Sequence, residues 1–215
     1  MNQKPERQAF TTREWKLVQS LRTPRQVQKY LSSLPYNWER EGGTQRSFRE
    51  VVNRGEAHCM EAALVAAVIL EQHGYPPLIM SLESWDKLDH VIFLYQQRGL
   101  WGAVARSRDI GLHGRRPLFR NLRQLAWSYY DPYVDFSGRL IGYGPGNLYD
   151  LGNYDWRFPP RNLWKVENYL REIPHHAIRS SDRRYERLHE RYKEFKERFP
   201  NKQAAYYDHR EQWML

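Results

Sequence analysis

Nine consecutive apolar residues, Ala62 to Leu70 (AALVAAVIL), constrain this chain more than any other feature. The run is far too short to span a bilayer, which takes about 20 such residues. Gly74 suits the position just past a helix end, and Pro76-Pro77 prevent continuation. The run therefore predicts a central helix from about His58 to His73, buried on all sides within a globular core. At 215 residues the chain can build one well-buried domain and keep some residues for extensions. With 40% hydrophobic and 14% aromatic residues, global disorder is excluded.

Around this helix the other elements fall into place. Thr11 or Thr12 caps a helix through Leu21, and Thr23-Pro24 opens a second that Leu34-Pro35 ends. Tyr36 to Thr44 reads as a polar loop, Ser47 to Val52 as a short helix broken by Gly55. Three strands follow: Leu78–Leu82, His90–Tyr95 and Leu100–Ser107, the last two joined in a hairpin by Gln97-Arg98-Gly99. A further helix is expected from near Leu118 to Asp131-Pro132, with Leu122, Leu125, Ala126 and Tyr129 as its stripe. Gly138 to Gly152 reads as glycine-rich loop. Asn162 caps LWKVENYLREI, and Ser181 or Asp182 caps a long charged helix to Phe199. The fold class is α+β: a small antiparallel sheet packed on the central helix, with extra helices at both ends. Residues 1–160 form the core, and 161–215 a helical extension packed on it or projecting from it.

The net charge of +9 raises the question of nucleic acid. Residues 1–56 carry 11 Lys/Arg against 6 Asp/Glu, 57–160 carry 10 against 10, and 161–215 carry 13 against 9. The central segment is neutral, and neither flank holds a zinc knuckle or an RNA-binding aromatic pattern. Solvated helix faces explain the excess, and nucleic acid is not the expected partner. A single cysteine forms no internal disulfide, and MNQKPERQAF has no apolar leader segment. A cytoplasmic protein without a membrane span is expected.

That single cysteine, Cys59, opens the apolar helix, and His90 begins a strand about thirty residues later. A thiol attacks a carbonyl only as thiolate, and a helix N-terminus lowers its pKa. An imidazole must then reach the sulfur, and a third group must hold that imidazole. Asp109, at the far end of the return strand, is the first candidate. With the turn centred near Gln97-Arg98, His90 pairs near Ala105 or Arg106, so a site without a carboxylate is the rival. The Cys59 backbone N–H supplies one oxyanion donor, and Asn37 or the Trp38 indole a second. Trp101 is a packing residue or a shield for the thiol. Such chemistry requires no metal and no organic cofactor.

The order of Cys helix, His strand and return strand with a Trp-Gly resembles the transglutaminase-like superfamily. The segments that carry it are GEAHCMEAALVAAVILEQHGYPP, DHVIFLY and GLWGAVARSRD. More closely, TPRQVQKYLSSLPYNWEREGGT and LFRNLRQLAWSYYDPY also find counterparts in bacterial transglutaminase-like proteins of unassigned function. The resemblance covers roughly residues 20 to 140 and implies a papain-like core with a thiol acyl-transfer site. It assigns Cys59 and His90; Ala105 to Arg108 stands where that superfamily usually has its Asp. It implies a peptide or amide substrate.

Other features have plainer alternatives. Glu61 complements the helix macrodipole or lines the cleft. His58, Cys59 and His90 could bind a metal, although no ligand spacing supports it. His175-His176 reads as a solvated turn. Six arginines against one acid between Arg106 and Arg123 either bind an anionic substrate or form an exposed loop. The class opposed to an enzyme is an inactive module of the same core that docks an acidic protein or nucleic acid through its basic flanks.

Overall fold

The computed structural model describes residues 4–204, 207 and 209–215. Two capped helices come first. In α1 (Thr12–Ser20), Thr11 and Glu14 form a reciprocal capping box; in α2 (Pro24–Ser33), Thr23 and Gln26 do the same with Pro24 in the first turn. α3 (Phe48–Arg54) ends on Gly55 at φ 75°. α4 (Cys59–Glu71) is buried at every position from Met60 to Glu71. Leu64, Val65, Val68, Ile69 and Leu70 show 0% exposure. Each such side chain contributes about 1.5–3 kcal/mol of burial free energy, so α4 is the axis of the core.

Among the described residues the sheet has six strands, all antiparallel, in the order β4-β3-β2-β1-β5-β6. They are β1 (Leu78–Ser84), β2 (His90–Gln97), β3 (Leu100–Val104), β4 (Arg115–Phe119), β5 (Leu140–Asn147) and β6 (His176–Ala177). Apolar layers cover both faces. Val91, Phe93 and Tyr95 of β2 pack with the helices α1 to α4. Ile92 and Leu94 pack on the other side with α5 (Leu122–Trp127), α6 (Tyr130–Tyr133) and Leu188 of α8 (Asp182–Arg198). β2 thus alternates strictly, yet both of its faces are interior. Its first residue, His90, shares the face of Ile92 and Leu94.

Three expectations are corrected. The segment Gly138 to Gly152 contains β5, not only loop, and β5 lies beside β1 within the sheet. Gly142, Gly144 and Gly146 recur every second residue because Glu83, His175 and Tyr169 lie over that face; a Cβ there would come within 2.5–2.9 Å of them. Arg115–Phe119 is a strand against β3, and the helix expected from Leu118 starts at Leu122 behind the Asn121 cap. The hairpin turn is Arg98-Gly99, at φ 53° and 75°, the left-handed pair a two-residue turn needs. Gln97 therefore pairs with Leu100, and the register lies beyond the one expected for His90. β3 stops at Val104, where Gln28 takes over: its side-chain amide both donates to the Ala105 carbonyl (2.8 Å) and accepts the Ala105 N–H (2.9 Å).

The C-terminal elements pack on the core. α7 (Trp164–Glu172) buries Val166 and Leu170 in the α4 layer, β6 extends the sheet, and α9 (Arg210–Trp213) precedes a Met214 bridge to Arg115. Leu163 stands at the α7 N-cap; Asn162 instead accepts the Gln45 N–H. Among the described residues no helix is long and apolar enough to cross a membrane.

Candidate active site

α4 starts with the one residue of the helix that is not fully buried. Cys59 is half-buried and lines a cleft of about 430 Å³ together with Tyr36, Trp38, His58, His90 and Tyr133. As the first helical residue it stands at the positive end of the macrodipole, beside N–H groups that lack an intrahelical acceptor.

His58 is the N-cap of α4. Its Nε2 lies 2.7 Å from the Thr44 carbonyl oxygen, and its Nδ1 accepts the Met60 N–H at 3.3 Å. A carbonyl only accepts, so the hydrogen of the neutral ring is on Nε2 and Nδ1 is bare. Glu61, with 0% exposure, closes the capping box by accepting the His58 N–H at 3.0 Å. The same carboxylate accepts from Asn37 Nδ2, Thr44 Oγ1 and the Arg46 N–H. One buried anion thereby fixes the loop before the helix, the cap and the first turn.

His90 reaches the cleft from the end of β2 and is 3% exposed. Its Nε2 lies 2.9 Å from the Leu112 carbonyl oxygen. Again the acceptor can only be the carbonyl, so His90 is an Nε2–H tautomer with a bare Nδ1. The ring is tilted against Tyr129 at 6.1 Å between centroids. Leu112 belongs to a short 3-10 turn, Ile110–Leu112, whose neighbouring carbonyls are held from below. Arg115, with 0% exposure, donates to the Gly111 oxygen (2.8 Å) and the His113 oxygen (2.6 Å). It lies under the Tyr129 ring at 3.8 Å and donates to Ser128. Burial lowers the Arg115 pKa to about 10, which leaves it charged at neutral pH.

Electrostatics follow from this arrangement. Burial raises the Cys59 thiol pKa, but hydrogen bonding to His58 and His90 and the charge of both rings outweigh it, lowering it from 9.0 to about 5. Burial lowers His58, but the adjacent thiolate and Glu61 outweigh it and raise it from 6.5 to about 9. These are two views of one coupled pair. Burial and the Cys59 charge keep the Tyr36 and Tyr133 phenols protonated, and Tyr133 donates to the Leu88 carbonyl.

No family model and no curated protein sequence matches this chain.

Cys59 and His90 line one cleft; the other expected residues fare differently. Asp109 also lines it but does not stand behind His90. It stands at the N-cap position of the 3-10 turn without a side-chain capping bond and faces Arg108 at 3.4 Å, because the loop carries it past the strand register, and the Leu112 carbonyl occupies the orienting position. Asn37 is buried with its amide N–H groups committed to Thr44 and Glu61, so it is no oxyanion donor. Trp38 lines the cleft at 58% exposure and keeps that possibility. Trp101 pairs with Gln96, six residues or about 20 Å along β2 from His90, and packs on the sheet face that points away from α4; it shields nothing at the thiol.

The six arginines disperse. Arg115 is interior, Arg106 donates to the Leu34 carbonyl, Arg116 to that of Met214, and of the six Arg108 alone lines the cleft. Among the described residues six carboxylates, Glu39, Asp86, Asp89, Asp109, Asp135 and Glu167, line it against Lys87, Arg108 and Arg171. Among the described residues no group of three His, Cys, Asp or Glu side chains is arranged to hold a metal ion. His175 Nδ1 meets the Ile173 carbonyl, and His176 sits in β6, not in a turn.

Adjacent positions within a helix diverge by about 100°, which on sequence grounds separates His58 from Cys59. An N-cap residue lies outside the helix, at φ −91° and ψ −174°, so that angle does not apply. The spacing of His58 to Glu61 was the available signal. The backbone carbonyls of Leu112 and Thr44 have no signature in side-chain identity.

Proposed function

We propose that this protein performs thiol-dependent acyl transfer or hydrolysis on an amide or isopeptide bond, on a papain-like core of the transglutaminase type. The observation that carries the reading is a half-buried thiol at a helix N-terminus, in a cleft it shares with two imidazoles whose Nε2 atoms are both tied to carbonyls. The Cys59 thiolate attacks the substrate carbonyl, and the oxyanion forms near the Cys59 N–H and the Trp38 indole. Collapse breaks the C–N bond, and an imidazolium gives its proton to the leaving amine. The acyl-thioester then passes to water or to a second amine, with His90 as the base. A carbonyl behind His90 fixes its tautomer and does not stabilise the imidazolium as a carboxylate would, so a slow catalyst is expected. The acidic lining favours a neutral or cationic substrate over an anionic one.

The test is acylation by p-nitrophenyl acetate, followed by peptide mass analysis. Acetyl on Cys59 with nitrophenol release, lost in Cys59→Ala, and turnover slowed at least about 100-fold in His90→Ala, support the reading. Equal turnover in His90→Ala overturns it.

A second reading, an inactive module that docks an acidic protein or nucleic acid through the basic flanks, draws on the missing carboxylate behind His90. It predicts salt-sensitive partner capture that survives Cys59→Ala.

A further inference from the structure

We propose that His58 is a second proton acceptor for the Cys59 thiol, so that two imidazoles serve one sulfur. The proposal rests on the acyl-transfer reading of Cys59 and deepens it. His58 and His90 approach the thiol from different elements, yet they are built alike. Each is nearly buried, at 6% and 3% exposure, and each has its Nε2 on a backbone carbonyl, Thr44 at 2.7 Å and Leu112 at 2.9 Å. Each therefore has Nδ1 as its only ring nitrogen free to exchange a proton. For His58, that nitrogen faces the start of α4, where it accepts the Met60 N–H at 3.3 Å. That bond is long, and His is not among the residues that cap helices well. Ser, Asp or Asn would serve a cap better, so capping alone does not account for an imidazole here.

The surroundings suit a charged ring. Glu61 Oε1 lies 3.4 Å from His58 Nε2, and Glu39 Oε1 lies 3.8 Å from it. Thr44 also faces the ring, through its carbonyl. The Arg46 guanidinium of the same cluster turns to Glu56 at 2.8 Å and lies 3.8 Å from Glu61. In the transfer the S–H bond of Cys59 breaks, an N–H bond forms at His58 Nδ1, and the acceptor role toward Met60 is given up. The product is a thiolate beside an imidazolium, with no net charge created. His90 then keeps its bare Nδ1 as base for the deacylating nucleophile while His58 stores the proton.

The test uses the full chain and two readouts. In ¹⁵N-histidine spectra His58 should titrate near 9 in the wild type and fall to the ordinary imidazole range near 6.5 in Cys59→Ala. His58→Asn, which keeps a good cap, should raise the pH midpoint of Cys59 alkylation by about one unit or more. His58→Ser checks the same shift with another capping residue, and thermal melts establish that both variants fold. A His58 that is neutral at pH 7 with and without the thiol, and an alkylation midpoint unmoved in both variants, would overturn the proposal and reduce His58 to a cap. If the wild-type midpoint itself lies at 8–9, the acyl-transfer reading fails first, and this inference with it. A low wild-type midpoint with a neutral His58 sinks the inference alone.

Discussion

The two ends of α4 each bury a glutamate, and the environments differ. At the C-terminal end Glu71 pairs with Arg157 through two bonds of 2.7 and 2.9 Å, with Tyr149 adding a third contact at 3.4 Å. At the N-terminal end the hydrogen bonds to Glu61 come from neutral donors, Asn37, Thr44 and the backbone N–H groups of Arg46 and His58, while the Arg46 guanidinium stands off at 3.8 Å and the His58 ring at 3.4 Å. Glu71 opposes the macrodipole and needs a cation; Glu61 complements it and does not. An ion pair anchors one end to the Asp155–Phe158 segment. At the other end a carboxylate organises the loop and the cap that precede Cys59.

Substitutions at the two ends should separate these roles. The largest effect on stability is expected from Glu71→Ala, about 3–5 kcal/mol in urea unfolding, because Arg157 is left charged and 12% exposed. Its Cys59 alkylation profile should match the wild type. Burial raises the Glu71 pKa in spite of Arg157, so replacing both partners by Met should be near neutral, which would confirm that the cost lies in the stranded charge.

Glu61→Gln comes next. An amide N–H₂ must replace one carboxylate oxygen among donors, at about 1–3 kcal/mol. Unlike Glu71→Ala, this variant should also raise the pH midpoint of Cys59 alkylation by about one unit, which slows the reaction about tenfold below that midpoint, since the loop and the cap that hold His58 are released. Equal alkylation in both variants would erase the contrast between the two ends.

A smaller effect is expected from pH. The folded-state pKa of Cys59 lies at about 5, below its usual 9.0. Stability from the ionised thiol is therefore complete above pH 9 and lost as pH falls through about 5. Urea midpoints should fall more between pH 7 and pH 4.5 for the wild type than for Cys59→Ala. Asp109→Asn should have the least effect, leaving the alkylation midpoint within about 0.3 units of the wild type. A shift of a full unit would return the orienting role to that carboxylate.

What was legible in the sequence divides along physical lines. The caps at Thr11, Thr23 and Ser181, the apolar α4 and the Arg98-Gly99 hairpin all rest on local signals, and these elements formed where local chemistry places them. β5 was misread because glycine every second residue looks like loop until the side chains that cover it are known; Glu83, His175 and Tyr169 come from three distant segments. β4 is short, and its pairing depends on β3 and on the buried Arg115, again non-local. At the site, Cys59 and His90 were readable as residue types in order. The groups that orient the rings are main-chain oxygens whose positions depend on a turn braced by Arg115, and no residue identity encodes them.

The central claim is that Cys59 is ionised at neutral pH because two imidazoles and a helix start act on it. The most direct measurement is the rate of iodoacetamide alkylation of Cys59 in the intact chain from pH 3.5 to 10, read by peptide mass. The rate should rise to half its plateau near pH 5 and stay flat through neutrality. A rate that stays low at pH 7 and climbs only through pH 8 to 9, as for an ordinary thiol, would contradict it.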